Sequence, residues 1–319
     1  MAEASVVGPK EENVLIQVGN CSLELFPDLG GKIASIRIGD RELLQTPLAP
    51  YGPRTRTMAF DASDASGWDE CVPSVAACMV DTAAGPASIP DHGDLWRVAW
   101  QPVKTGSSTA TLRAECFSLP LSLERTLALT ETELGCKLRL HYAVTNFGDF
   151  PVPWSWAAHP LFAAEAGDRV VLPNSIRALR VEGSGGRRLG QSGDQVTWPI
   201  ATLANGSKTD LSASQSPASS IGDKLFAGPL SASENWCALK RPRAGVRIKV
   251  SFDPVATPYL GLWICYGGWP DRAGLKQSCV AMEPATAPVD SLQQTGPWSR
   301  VLAPGKSFSW PMTVEFESI

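Results

Sequence analysis

The 319-residue sequence has three histidines, His92, His141 and His159, and no Cys-x-x-Cys among its eight cysteines. A three-histidine zinc centre would need all three, and His141 falls on the polar side of an alternating run, so no metal site is expected. No Gly-x-Ser-x-Gly elbow marks a serine hydrolase. Gly30-Gly31 and Gly267-Gly268 precede neither a helix nor a Gly-Lys-Ser/Thr, so neither is a phosphate loop. There is no basic block, and the net charge is −4; this argues against nucleic acid or an anionic membrane as partner. No apolar run is long enough to span a bilayer. The opening Met1-Ala2-Glu3-Ala4-Ser5 lacks the basic-then-apolar pattern of a secretory signal. The expectation is a cytoplasmic protein with reduced cysteines. Helical periodicity of any length is missing too.

Breakers and alternation are plentiful. Glycine and proline number 28 and 26, and tryptophan 11, which suits a chain of many turns. Leu138, Leu140, Tyr142 and Val144 alternate with polar residues, as do Val246 to Phe252 and Phe308 to Phe316. Such runs with short turns between them predict an all-β fold, one large antiparallel β-sandwich domain over residues 1–319. Residues 1–12 read as a polar tail, and 183–223 as a long surface excursion. Asp69 and Glu70 read as solvated loop carboxylates.

One stretch organises the rest, Pro151 to Phe162. Read as a strand, it points Trp154, Trp156 and Ala158 one way and Ser155, Ala157 and His159 the other. His159 then closes a row of small residues at a cavity floor. Cys279, Ala281 and Glu283 share one face of a later strand, Val280 and Met282 the other. His92 lies in the loop Asp91-His92-Gly93-Asp94. An imidazole and a carboxylate facing one cavity can act as an acid/base pair. The residues alone leave a rim carboxylate as an equal reading of Glu283.

Four stretches together resemble the aldose 1-epimerase (galactose mutarotase) superfamily: Leu25 to Ile33, Asp91-His92-Gly93, Ala158-His159-Pro160-Leu161-Phe162, and Met282-Glu283-Pro284. The resemblance implies a mutarotase-type β-sandwich that interconverts the anomers of an aldose without a cofactor. In it, Glu283 takes the anomeric proton, His159 protonates the ring oxygen and His92 positions the sugar. Ala158 and Leu161 stand where Asn and Tyr are frequent in the family. Arg54 and Arg56 are candidates for a substrate-binding arginine. Trp68, Trp96 and Trp263 are candidate sugar platforms. The implied partner is a small-molecule sugar. Two alternatives are a non-catalytic carbohydrate-binding protein of the same fold and an enzyme acting on a phosphorylated or acidic sugar, with Arg54, Arg56 and Arg97 as its anion site. Oligomeric state has no signal in the sequence.

Overall fold

The structure is a computed structural model, described here for residues 13–319 apart from 273 and 275. The predicted tail, 1–12, lies outside the described residues. Two large antiparallel sheets dominate. The first runs, in spatial order, through Val14–Val18, Cys21–Phe26, Lys32–Ile38, Trp68–Cys71, Ala157–Ala163, Ser278–Ala285, Tyr259–Tyr266, Ile221–Ala227, Ala178–Ser184 and Gln195–Thr197. Arg41–Glu42 pairs with its third strand, making eleven in all. The second, of eight strands, runs from Arg169–Val171 through Trp236–Arg241, Val246–Phe252, Ser307–Ser318, Gly135–Asn146, Leu121–Thr132 and Thr109–Glu115 to Gln101–Thr105. Among the described residues there is no α-helix, only short 3₁₀ turns, and hence no helix able to cross a membrane.

Period-two alternation produces this architecture because it gives each strand one apolar face. Leu225, Leu262 and Met282 of the first sheet meet Leu123, Leu140, Val250 and Val314 of the second in one core. Trp156 and Trp310 pack there with ring centroids 5.0 Å apart, and Tyr142 lies 4.8 Å from Trp156. The same core encloses Glu70, fully buried. Its Oε1 accepts from Arg125 Nη1 and Tyr142 OH, both at 3.0 Å, and its Oε2 from Trp156 Nε1 at 2.9 Å. A buried charge persists when each of its oxygens is hydrogen-bonded.

Four expectations change. Asp69 and Glu70 are not solvated; they lie on the buried strand Trp68–Cys71, where Asp69 accepts from Lys32 Nζ at 2.5 Å. Segment 183–223 is no mere surface excursion. It contributes short strands, and Leu189, Val196, Trp198 and Leu211 join the main core. The tryptophan-rich strand is two strands, Val152–Trp154 and Ala157–Ala163, and the first pairs with Arg300–Leu302 outside the large sheet. The cysteines are not all reduced: Cys21 and Cys136, 115 residues apart, form a disulfide between the two sheets. The other six are free thiols.

Candidate functional site

The outer face of the first sheet carries the site. Alternation puts Val280 and Met282 in the sandwich core, while Cys279 and Ala281 join Leu161 and Cys265 on the outer face. Glu283 continues that outer row. On the neighbouring strand Ala157–Ala163, Ala158 and Phe162 point into the core, as does Trp156 just before it, and Ala157 and Leu161 point out. His159 therefore points out as well. The register pairs Ala157 with Ala285 and Leu161 with Ala281, which sets His159 directly across from Glu283. On their far sides, His159 faces Asp69 and Glu283 faces Gly261. Asp69, His159, Glu283 and Gly261 thus form one row across four strands.

His159 Nε2 lies 3.9 Å from Glu283 Oε1. His159 is 5% exposed and Glu283 fully buried. Glu283 Oε2 accepts from Lys224 Nζ, which also stands 3.5 Å from Asp290 Oδ1. Among the described residues, Glu283 Oε1 and His159 Nδ1 have no hydrogen-bond partner. Burial raises the Glu283 carboxyl above its ordinary range; Lys224 opposes this and Asp290 adds to it. Burial pushes the His159 imidazole well below its ordinary range, and His92, Lys224 and Lys32 push the same way. The two shifts run towards each other. A pair of this kind gives up its protons as a unit.

Loops over the row enclose a cavity of about 460 Å³, within the usual size of small-molecule sites. His92 enters it from a tight turn. Its backbone is left-handed at φ +58°, and Gly93 follows at +70°. A side chain at Gly93 would stand 2.2 Å from the Val72 carbonyl oxygen, so the turn needs glycine there. Arg97 pins the loop by donating from Nη1 to the carbonyls of Asp91 (2.5 Å) and Gly93 (2.6 Å). His92 stacks on Phe60 with centroids 3.8 Å apart, and its Nδ1 is 2.8 Å from Asp91 Oδ2. Trp263 and Trp269 form an aromatic side of the cavity; Trp263 Nε1 donates to Gln277 Oε1 at 3.0 Å.

Of the residues singled out in the sequence, His92, His159, Trp263 and Glu283 line this cavity. Trp68 does not. It shares the core-facing side of its strand with Glu70 and is fully buried in the sandwich. Trp96 lies behind Phe60, 1% exposed. Arg54 is held in a buried ion pair with Asp64 at 2.5 Å. Arg56 is exposed and stacks on Phe117. These four are corrections to the expected substrate contacts. His141 is exposed on the other sheet, as its parity predicts.

Lys224, Asp290, Trp269, Gln277 and Phe60 also line the cavity, and sequence reasoning missed them. Lys224 carries one signal, its place two residues before Phe226 in a short apolar strand. Asp290 carries none, because the loop holding it has no period.

No family model and no curated protein matches this sequence. Solved structures do match in fold. A galactose mutarotase-like protein from Lactobacillus casei superposes with a TM-score of 0.66 at 17% identity, covering 96% of this chain and all of its own. The Slr1438 protein from Synechocystis sp. PCC 6803 gives 0.69 at 18% identity, with complete coverage of both chains. The GalM/aldose epimerase homologue from C. elegans gives 0.63 at 12% identity, covering 97% of this chain and 99% of its own. The chain has the galactose mutarotase-like fold.

Proposed function

We propose that the protein is an aldose 1-epimerase acting on a neutral aldose, with Glu283 as base and His159 as acid. The observation that carries this reading is the buried Oε1 of Glu283, which has no hydrogen-bond partner among the described residues and lies at the cavity floor 3.9 Å from His159 Nε2. Left without a partner, such an oxygen costs about 1–3 kcal/mol or more. A sugar hydroxyl seated against it relieves that cost.

The chemistry follows the two atoms. Glu283 Oε1 takes the proton from the anomeric hydroxyl while His159 protonates the ring oxygen. The C1–O5 bond breaks and the aldehyde forms. Rotation about C1–C2 presents the other carbonyl face. Closure returns the proton from Glu283 to O1 and that from O5 to His159, so the enzyme ends as it began. The step starts from the ionised Glu283 carboxylate and the protonated His159 imidazole; burial disfavours that imidazolium in the sugar-free protein, so turnover runs on the fraction of molecules that carries it. His92 and Trp263 would hold the sugar, one by hydrogen bonding and the other by its apolar ring face.

The lining favours a neutral sugar over a phosphorylated one. Asp61, Asp91, Glu283 and Asp290 are all present, while Lys224 is the only lysine or arginine among the described lining residues and is already paired. Arg97 is committed to backbone carbonyls. A passive binding module has no use for a matched acid and base in contact with the ligand. The expected cytoplasmic location remains part of this proposal. The test is polarimetry on a panel of freshly dissolved single-anomer aldoses, with and without the protein. Acceleration for a neutral aldose is expected. No acceleration for any aldose, alongside measurable sugar binding, would favour the binding module.

A further inference from the structure

Lys224 has no place in the acid/base scheme, yet it touches the base. The groups that face Glu283 come from every neighbouring element. Lys224 comes from Ile221–Ala227, His159 from Ala157–Ala163, Cys71 from Trp68–Cys71, Cys279 from its own strand, and Asp290 and His92 from loops. The adjacent strand Tyr259–Tyr266 presents only Gly261 at this level. A Cβ there would lie 3.1 Å from Glu283 Oε2, crowding the oxygen that the ammonium meets. The missing side chain leaves Lys224 room to reach across to Glu283.

Resting on the reading of Glu283 as the base, we propose that Lys224 is a positioning residue. By holding Oε2 it leaves Oε1 as the atom that takes the sugar proton, and Asp290 braces the lysine from its other side. The brace is itself anchored: the Asp290 N–H donates to Glu182 Oε1 at 3.0 Å, and Glu182 pairs with Arg180. Lys224 is 8% exposed, so bulk water does not screen the contact. Burial works against its charge, but Asp290 and Glu283 outweigh burial and hold the ammonium proton more tightly than usual. A protonated amine has no lone pair, so Lys224 does not form an imine with the open-chain aldehyde.

The two partners of Glu283 act on it with opposite sign, which a merely structural role would not reproduce. Lys224→Met, Lys224→Arg and Asp290→Asn are compared with wild type. The readouts are anomer interconversion over about pH 4 to 9 and an NMR titration of the Glu283 carboxyl in sugar-free protein. Lys224→Met is expected to raise both the Glu283 titration and the acid limb of kcat/KM by about one pH unit or more. Its kcat near the wild-type acid limb falls about tenfold, while KM changes less than about threefold. Lys224→Arg recovers part of kcat. Asp290→Asn moves the titration and the limb the other way. A folded Lys224→Met variant with an unmoved titration overturns the proposal. So does a raised KM with unchanged kcat, which would make Lys224 a substrate contact. If Lys224→Met does not fold, Asp290→Asn decides, and no downward movement overturns the idea. Should wild type interconvert no aldose, the base reading fails, and the NMR titration still decides whether Lys224 governs Glu283.

Discussion

Glu70 and Glu283 lie on the same sheet, two strands apart, and both are fully buried. They differ in what surrounds their oxygens. Glu70 faces the sandwich core, and both oxygens are taken, by Arg125, Tyr142 and Trp156. Glu283 faces outwards under the loops; one oxygen is tied to Lys224 and the other, among the described residues, has no hydrogen-bond partner. Burial raises both carboxyls, and a cation opposes it in each case. Burial and a shifted carboxyl therefore do not separate a structural glutamate from a reactive one. The unfilled hydrogen-bonding position, opening on a cavity, separates them.

The largest effect should come from the open side. Glu283→Gln keeps the size of the side chain and removes the base. We expect kcat and kcat/KM to fall together by about 10²–10⁴-fold, roughly 3–5 kcal/mol of barrier. The melting temperature should change little, since Lys224 keeps Asp290. His159→Asn should show a comparable loss, and the double variant less than the product of the two. Polarimetry and thermal melts on one preparation check all three. Wild-type turnover in folded Glu283→Gln would erase the distinction drawn between the two glutamates.

Glu70→Gln should do the converse. It leaves the fully buried Arg125 guanidinium without its counter-charge, so a loss of about 3–5 kcal/mol of folding stability is expected, read by urea titration. Turnover per folded molecule should stay near wild type. A stable but inactive Glu70→Gln would place a catalytic group in the core and sink the comparison.

A smaller effect is expected at the cavity wall. His92→Ala should raise KM by about tenfold, some 1.4 kcal/mol, while leaving measurable turnover. Complete loss of turnover with unaltered sugar binding would make His92 the acid in place of His159.

The smallest effect is a pH dependence of stability. The folded His159 titrates below its unfolded value, so between the two values the unfolded chain binds the extra proton. Its contribution is complete above the ordinary histidine range, near about pH 6.5. It is lost as the pH falls from there towards the depressed value, with a slope of at most about 1.4 kcal/mol per pH unit. Urea titrations of wild type and His159→Asn at stepped pH isolate it. Equal slopes in the two proteins would show that His159 is not held neutral.

Much of the site was legible because strand parity is a local property. Alternation around His159 and Glu283 states which side chains share a face, and the observed core has Trp156, Ala158, Val280 and Met282 on the side the alternation predicts. The same reasoning fails where parity is applied to a segment taken for a loop. Asp69 and Glu70 read as loop carboxylates, and Trp68 beside them as a candidate sugar platform. All three lie on a strand whose alternation sends Trp68 and Glu70 inwards.

The sequence by itself determined the all-β class, the faces of the long strands and the residues able to exchange protons, because period two and side-chain chemistry need no knowledge of neighbours. Only the tertiary structure decided which strands lie side by side. That choice set His159 across from Glu283, 124 positions later in the chain by their numbering, and brought Lys224 over Gly261 to meet them. It also placed Cys21 against Cys136 and drew Arg54 and Arg56 away from the cavity. Register between strands distant in sequence is fixed by the packing of whole faces and by loop geometry. No single stretch of the chain contains that information.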